Sequence, residues 1–134
     1  MPSDPAAVKP FFPVPGKIWY NADRIKKFTE LRGEEKKKMI ALNVTYQCKP
    51  GKRDEFLEKI LAEGIDTASR AEAGNFRYVF YLPADGSDEL LLVEKWRDDG
   101  ALAVHREQPH YAKLAALKAE YLTGTVIERF VTED

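Results

Sequence analysis

The sequence predicts an α+β domain: a ferredoxin-like βαββαβ antiparallel sheet with helices on one face, preceded by a proline-rich arm. Three features predict it. Residues 39–48 alternate apolar and polar, and residues 89–96 form an apolar run free of Gly and Pro, both strand patterns. Residues 52–71 carry an apolar stripe at helical spacing. A second helical stretch, 98–105 and 109–121, precedes a last strand at 123–131, which completes the split βαβ order.

The arm and a short helix span residues 1–38, and the compact domain spans 39–134. Residues 1–20 hold Pro2, Pro5, Pro10, Pro13 and Pro15, five of the chain's eight prolines. Such a segment is extended and cannot donate regularly to a sheet. It also carries Phe11, Phe12, Ile18 and Trp19, so it is expected to dock on this subunit or on a neighbour. Asn21 suits the cap of a helix from Ala22 to about Arg32, with Gly33 as its stop.

In the first strand Ile40, Leu42, Val44, Tyr46 and Cys48 share one face. Lys49-Pro50-Gly51-Lys52 turns the chain into the long helix, where Phe56, Leu57, Ile60, Leu61, Ile65 and Ala68 form the stripe and Gly64 is a weak spot. The strand 75–82 places Phe76, Tyr78 and Phe80 on one face and Arg77, Val79 and Tyr81 on the other. Pro83 to Ser87 forms a hairpin connection. In 89–96, Leu90, Leu92, Glu94 and Trp96 point one way, and Leu91, Val93 and Lys95 the other. Asp98-Asp99 offers a cap, and His105 falls on the apolar side of the next helix with Ala101 and Leu102. Pro109 opens the helix after it. Several strands are apolar on both faces, whereas a sheet covered on one side should leave a polar face. The sheet is therefore expected to pack against a second copy through a two-fold axis, or against the arm.

Composition narrows the function. Lys and Arg number 21 against 22 Asp and Glu, a net charge of -1, so there is no basic footprint for nucleic acid. The lone Cys48 excludes an internal disulfide and a zinc-thiolate cluster. No apolar run spans a bilayer, and the first residues lack a secretory pattern, so a cytoplasmic protein without a membrane partner is expected. No phosphate-binding glycine loop is present, and two histidines without a carboxylate cluster make a poor metal site, so no cofactor and no metal are expected.

The chemistry concentrates in the segment 94–111. A neutral imidazole at His105 can deprotonate an acidic phenol or enol near neutral pH. Trp96 can stack on a planar substrate or hold an oxygen through its ring nitrogen. Glu94, on the same strand face, can accept from a substrate hydroxyl, fix a histidine, or pair with Arg77 or Arg97. Asn43 is polar inside an apolar strand and is a candidate for a substrate carbonyl. Tyr78, His110 and Tyr111 are candidate pocket walls, and Arg77 or Arg106 can hold a phosphate.

Residues 39–131 resemble the antibiotic-biosynthesis monooxygenase (ABM) family of small dimeric α+β barrel proteins. The resemblance is carried by Lys49-Pro50-Gly51-Lys52, Glu72-Ala73-Gly74-Asn75, Glu94-Lys95-Trp96, and His105 with Pro109-His110-Tyr111. It implies a ferredoxin-like fold, paired sheets in a homodimer, and a pocket between sheet and helices. It further implies oxidation of a small aromatic or quinol compound by dioxygen without metal or flavin. One branch of the family degrades haem through a histidine that would fall near Leu114, Ala115 and Ala116, which argues against that activity here. Another branch isomerises a small phosphorylated dicarbonyl, and a non-enzymatic dimeric binder is the third alternative.

Overall fold

A computed structural model describes residues 38–133; the expected arm and the helix after Asn21 lie outside the described residues. The order is β1 (Lys38–Cys48), α1 (Arg53–Ala62), α2 (Ile65–Arg70), β2 (Asn75–Tyr81), β3 (Glu89–Trp96), α3 (Asp99–His105), α4 (Pro109–Tyr121) and β4 (Leu122–Glu133). The four strands form one sheet in the order β2-β3-β1-β4, with every neighbouring pair antiparallel. This is the ferredoxin-like arrangement that the sequence predicts.

The alternation in the central strands sets the layers. Ile40, Leu42, Val44 and Tyr46 of β1 are buried, as are Leu90, Leu92, Glu94 and Trp96 of β3. Pairing of Leu42 with Glu94 and of Val44 with Leu92 puts these two sets on one face. The helices cover that face, through Phe56 and Ile60 of α1, Ile65 of α2, Leu102 of α3, and Leu114, Leu117 and Tyr121 of α4. Burying a side chain such as Phe56 or Ile60 contributes about 1.5–3 kcal/mol.

Two local expectations are corrected. The helix expected over 52–71 is broken, because Gly64 takes φ 68° and separates α1 from α2. That left-handed backbone suits glycine and ends a helix. Leu61, counted in the expected stripe, lies within α1 off the face of Phe56 and Ile60 and is 51% exposed. In β2 the register shifts between Asn75 and Arg77, so Phe76 leaves the face of Tyr78 and is 55% exposed. A bulge puts an extra residue into one strand and defeats simple alternation.

One contact seats α3. A Cβ added at Gly74, just before β2, would lie 2.3 Å from the Ala101 Cβ. The helix therefore rests directly on the Gly74 backbone, whose carbonyl accepts from the Arg97 N–H at 2.8 Å. Asp98 caps the helix, its carboxylate accepting from the Ala101 N–H at 2.8 Å. Gly74→Ala should cost about 1–3 kcal/mol through overpacking. Adding Ala101→Gly should recover part of that loss in urea unfolding, despite the penalty of up to about 1 kcal/mol for a helical glycine. Strictly additive costs would show that the two residues do not press on each other.

Candidate active site

The seating of α3 on Gly74 decides where two side chains go. His105 lies one helical turn beyond Ala101 and points into the protein, with its side chain 3% exposed. Glu72 lies two residues before Gly74, in the turn that leads into β2, and its side chain is 12% exposed. The two meet: Glu72 Oε2 is 2.6 Å from His105 Nδ1. Pro109 starts α4 directly after the α3 turn, so His110 comes to the same oxygen, its Nε2 at 2.7 Å. Because a carboxylate oxygen accepts, each facing ring nitrogen carries the hydrogen. His105 is thereby held as the Nδ1–H tautomer, and its Nε2 keeps the lone pair. That nitrogen has no hydrogen-bond partner among the described residues.

Rings pack the imidazole in place. Trp96 stacks on it at 4.5 Å between centroids and 37° between planes. Tyr111 and Tyr78 meet it edge-on at 5.2 and 5.7 Å. Burial pushes the His105 pKa below its ordinary value, and the Glu72 carboxylate acts against that shift. A depressed value keeps the ring neutral, the form a general base needs.

Beside His105 lies a cavity of about 50 Å³, lined by Leu42, Val44 and Tyr46 of β1, Tyr78, Glu94, Arg106, Tyr111, Lys118 and neighbouring apolar groups. It has room for a few waters, not for an aromatic ring. Of its lining residues Arg106 and Ile127 are exposed and Lys118 is half-buried. Glu94 is buried on the wall and accepts from the Trp96 indole N–H at 2.8 Å. Burial raises the Glu94 pKa above the ordinary 4.5, opposed by the Trp96 hydrogen bond, Arg106 and Lys118. Burial also lowers the pKa of Lys118, with Glu94 acting the other way. The Tyr78 hydroxyl is buried without a hydrogen-bond partner among the described residues, and burial pushes its pKa up.

The structure brings together His105, Glu94, Tyr78 and Tyr111 around one cavity. Trp96 and His110 stand behind His105 instead: the indole nitrogen is engaged by Glu94, and His110 holds Glu72. Asn43 and Arg77 do not join them. Asn43 pairs with Val93 and Arg77 with Lys95, on the sheet face away from the helices. Arg77 instead lies near the Tyr81 ring and bonds its hydroxyl. Glu94 pairs with neither Arg77 nor Arg97; Arg97 binds Asp98. Sequence reading missed Glu72, Lys118 and Tyr46. It also missed that the histidines have a carboxylate between them.

The profile of the antibiotic biosynthesis monooxygenase family matches residues 39–117. YcnE of Bacillus subtilis, a candidate monooxygenase, is 34% identical over 86 residues, covering 64% of this chain and 88% of YcnE. Rv0793 of Mycobacterium tuberculosis, likewise a candidate monooxygenase, is 36% identical over 87 residues, covering 65% of this chain and 83% of Rv0793. The solved structure of Rv0793 superposes with a TM-score of 0.63 over 72% of this chain and 96% of that one, at 33% identity. PA3566 of Pseudomonas aeruginosa gives a TM-score of 0.63 at 28% identity, over 71% of this chain and 94% of that one. These likenesses support a monooxygenase type of function. Among the described residues no helix is long and apolar enough to cross a membrane.

The buried Glu94 yields a test of what the cavity costs. A carboxyl whose folded pKa is raised loses stability as pH rises from its unfolded value through its folded one. Glu94→Gln can still accept from the indole and carries no charge. It should melt higher than the wild type at neutral pH, and the gain should vanish below pH 4.5, where the wild-type carboxyl is protonated as well. Each kcal/mol gained would raise Tm by about 4–8 °C. A variant that melts lower at pH 7 would show that the charge is stabilising.

Proposed function

The chain belongs to the antibiotic biosynthesis monooxygenase family, and on that premise we propose that it is a cofactor-independent monooxygenase acting on a small aromatic or quinol compound with dioxygen. The observation that carries the reading is the Glu72–His105 pair, which occupies Nδ1 and leaves Nε2 free, on a residue that lines a mixed-polarity cavity. In this reading Nε2 removes a proton from an acidic hydroxyl or activated C–H of the substrate. Glu72 holds the tautomer and stabilises the imidazolium that forms, as the acidic member of a hydrolase triad does. The substrate anion then passes an electron to dioxygen, so the substrate supplies the reducing equivalents itself.

The other residues take supporting parts. Arg106 and Lys118 on the cavity wall favour an anion over its neutral parent. Tyr78 offers its unpaired hydroxyl to a substrate oxygen, and Tyr111 forms a flat wall. Trp96 acts as a positioning residue through its stack on His105. The cavity must widen on binding, and movement of Arg106 and Lys118 in its lining would widen it. The same two cations suit a second reading, isomerisation of a small phosphorylated dicarbonyl started by the same base.

The proposed working unit is a homodimer joined through the open sheet face. That face presents the half-buried Leu91, Val93 and Val79, with Val126 48% and Phe130 46% exposed on β4. Their pairing (Thr45 with Val126, Ala41 with Phe130) puts the β4 pair on the side away from the helices. An apolar face of this kind usually marks an association surface.

His105→Ala should lower oxygen consumption with an active member of a quinol panel by about 10²–10⁴-fold. His105→Gln, which refills the space and can donate to Glu72, should lose as much while melting like the wild type. Wild-type turnover in either variant would remove His105 as the base. Turnover of a dicarbonyl without oxygen uptake would favour the isomerase. Sedimentation at micromolar concentration should give a dimer that Phe130→Glu dissociates; a wild-type monomer would end the dimer reading.

A further inference from the structure

Glu72, His105 and His110 each offer a ligand atom within 4.8 Å of the other two, and Glu72 Oε2 lies 2.6 Å from His105 Nδ1 and 2.7 Å from His110 Nε2. They come from three separate segments: the turn before β2, the end of α3 and the start of α4. Each segment is fixed by its own packing, through Gly74 on Ala101, Leu102 in the core, and Leu114 in the core. The three atoms therefore converge without any long flexible arm. Two imidazoles and one carboxylate are a donor set for zinc, copper or iron, not for magnesium or calcium, which prefer oxygen alone.

We propose that Glu72, His105 and His110 bind one divalent transition-metal ion, best met by zinc, and that the bound ion disables His105 as a base. A tetrahedral ion with bonds of about 2.0–2.1 Å separates its ligand atoms by about 3.3 Å. The present separations from Glu72 Oε2 are 2.6 and 2.7 Å and must lengthen, while the two imidazoles, within 4.8 Å of each other, must close; shared between the side chains, shifts of about 1 Å or less each would do both. A second observation points to an unfilled role. The other carboxylate oxygen, Glu72 Oε1, is buried and without a hydrogen-bond partner among the described residues. An ion on this carboxylate would give that oxygen a cation. Side-chain exposures of 12% for Glu72 and 13% for His110 leave a route from solvent and a place for water as the fourth ligand.

The consequence for His105 follows from proton balance. Coordination takes the Nδ1 lone pair, so the hydrogen now on Nδ1 must move to Nε2. No proton leaves the neutral ring, but the free lone pair of Nε2 is lost. Nε2 becomes a donor and cannot accept a proton from a substrate. This second half rests on the base assignment above; the binding half does not.

Both halves can be read without substrate. The full chain, stripped with chelator, is titrated with Zn²⁺ by calorimetry and with Co²⁺ by visible absorption. Imidazole ¹⁵N shifts are recorded before and after Zn²⁺. The expected result is one ion per chain, with His110→Phe and Glu72→Gln each weakening binding by at least about tenfold. The His105 hydrogen should move from Nδ1 to Nε2 on binding. Zinc binding that neither variant weakens would overturn the site, as would no binding above the variants' level. Zinc bound with His105 still carrying its hydrogen on Nδ1 would overturn the switch. Two variants at different ligands guard against one failing to fold, which a metal-free melt detects.

Discussion

One carboxylate oxygen organises the candidate site of this protein. Glu72 Oε2 takes a hydrogen from His105 on one side and from His110 on the other, at 2.6 and 2.7 Å. Short bonds to a carboxylate are stronger than neutral ones, and they fix which nitrogen of each ring is bare. The arrangement depends on a glycine: α3 lies close enough only because Gly74 offers no side chain to Ala101. Packing at one helix contact thus decides the protonation pattern of a buried imidazole about one turn away. The fold builds an oriented imidazole, and the proposed function gives it the part of a base.

The cavity beside that imidazole is costly to fold around. It keeps Glu94 ionisable in a place that disfavours its charge, and it leaves the Tyr78 hydroxyl unpaired. An apolar core of the same shape would carry neither cost. Such groups are characteristic of sites that must meet a polar ligand. Lys118 and Arg106 offset Glu94 across the space, so the wall holds more positive than negative charge. That balance suits an anion formed inside the cavity better than a neutral compound.

Most of the fold was legible in the sequence because alternation and helical spacing report burial directly. Strand β3 and helix α4 have the expected limits, and the inward turn of His105 followed from its spacing to Leu102. The break at Gly64 and the bulge at Phe76 were not legible, since each depends on a backbone torsion or a strand register. Asn43 shows the same limit at the site. Alternation put it opposite Val44, but only the pairing with Val93 tells that this face is the one without helices. Glu72 was visible as part of a motif, yet its partners lie 33 and 38 residues away, joined by the packing of three elements. Nothing in the sequence sets Lys118 apart from the other lysines, since its interaction with Glu94 depends on how α4 packs over the sheet.

Under the proposed function His105 takes a proton from the substrate before dioxygen enters the reaction. Rapid mixing of the protein with a chromophoric quinol substrate under strictly anaerobic conditions tests it most directly. The absorption of the bound substrate anion should appear without oxygen in the wild type and fail to appear in His105→Gln. An anion that forms equally in the variant, or no anion in the wild type until oxygen is admitted, would contradict it.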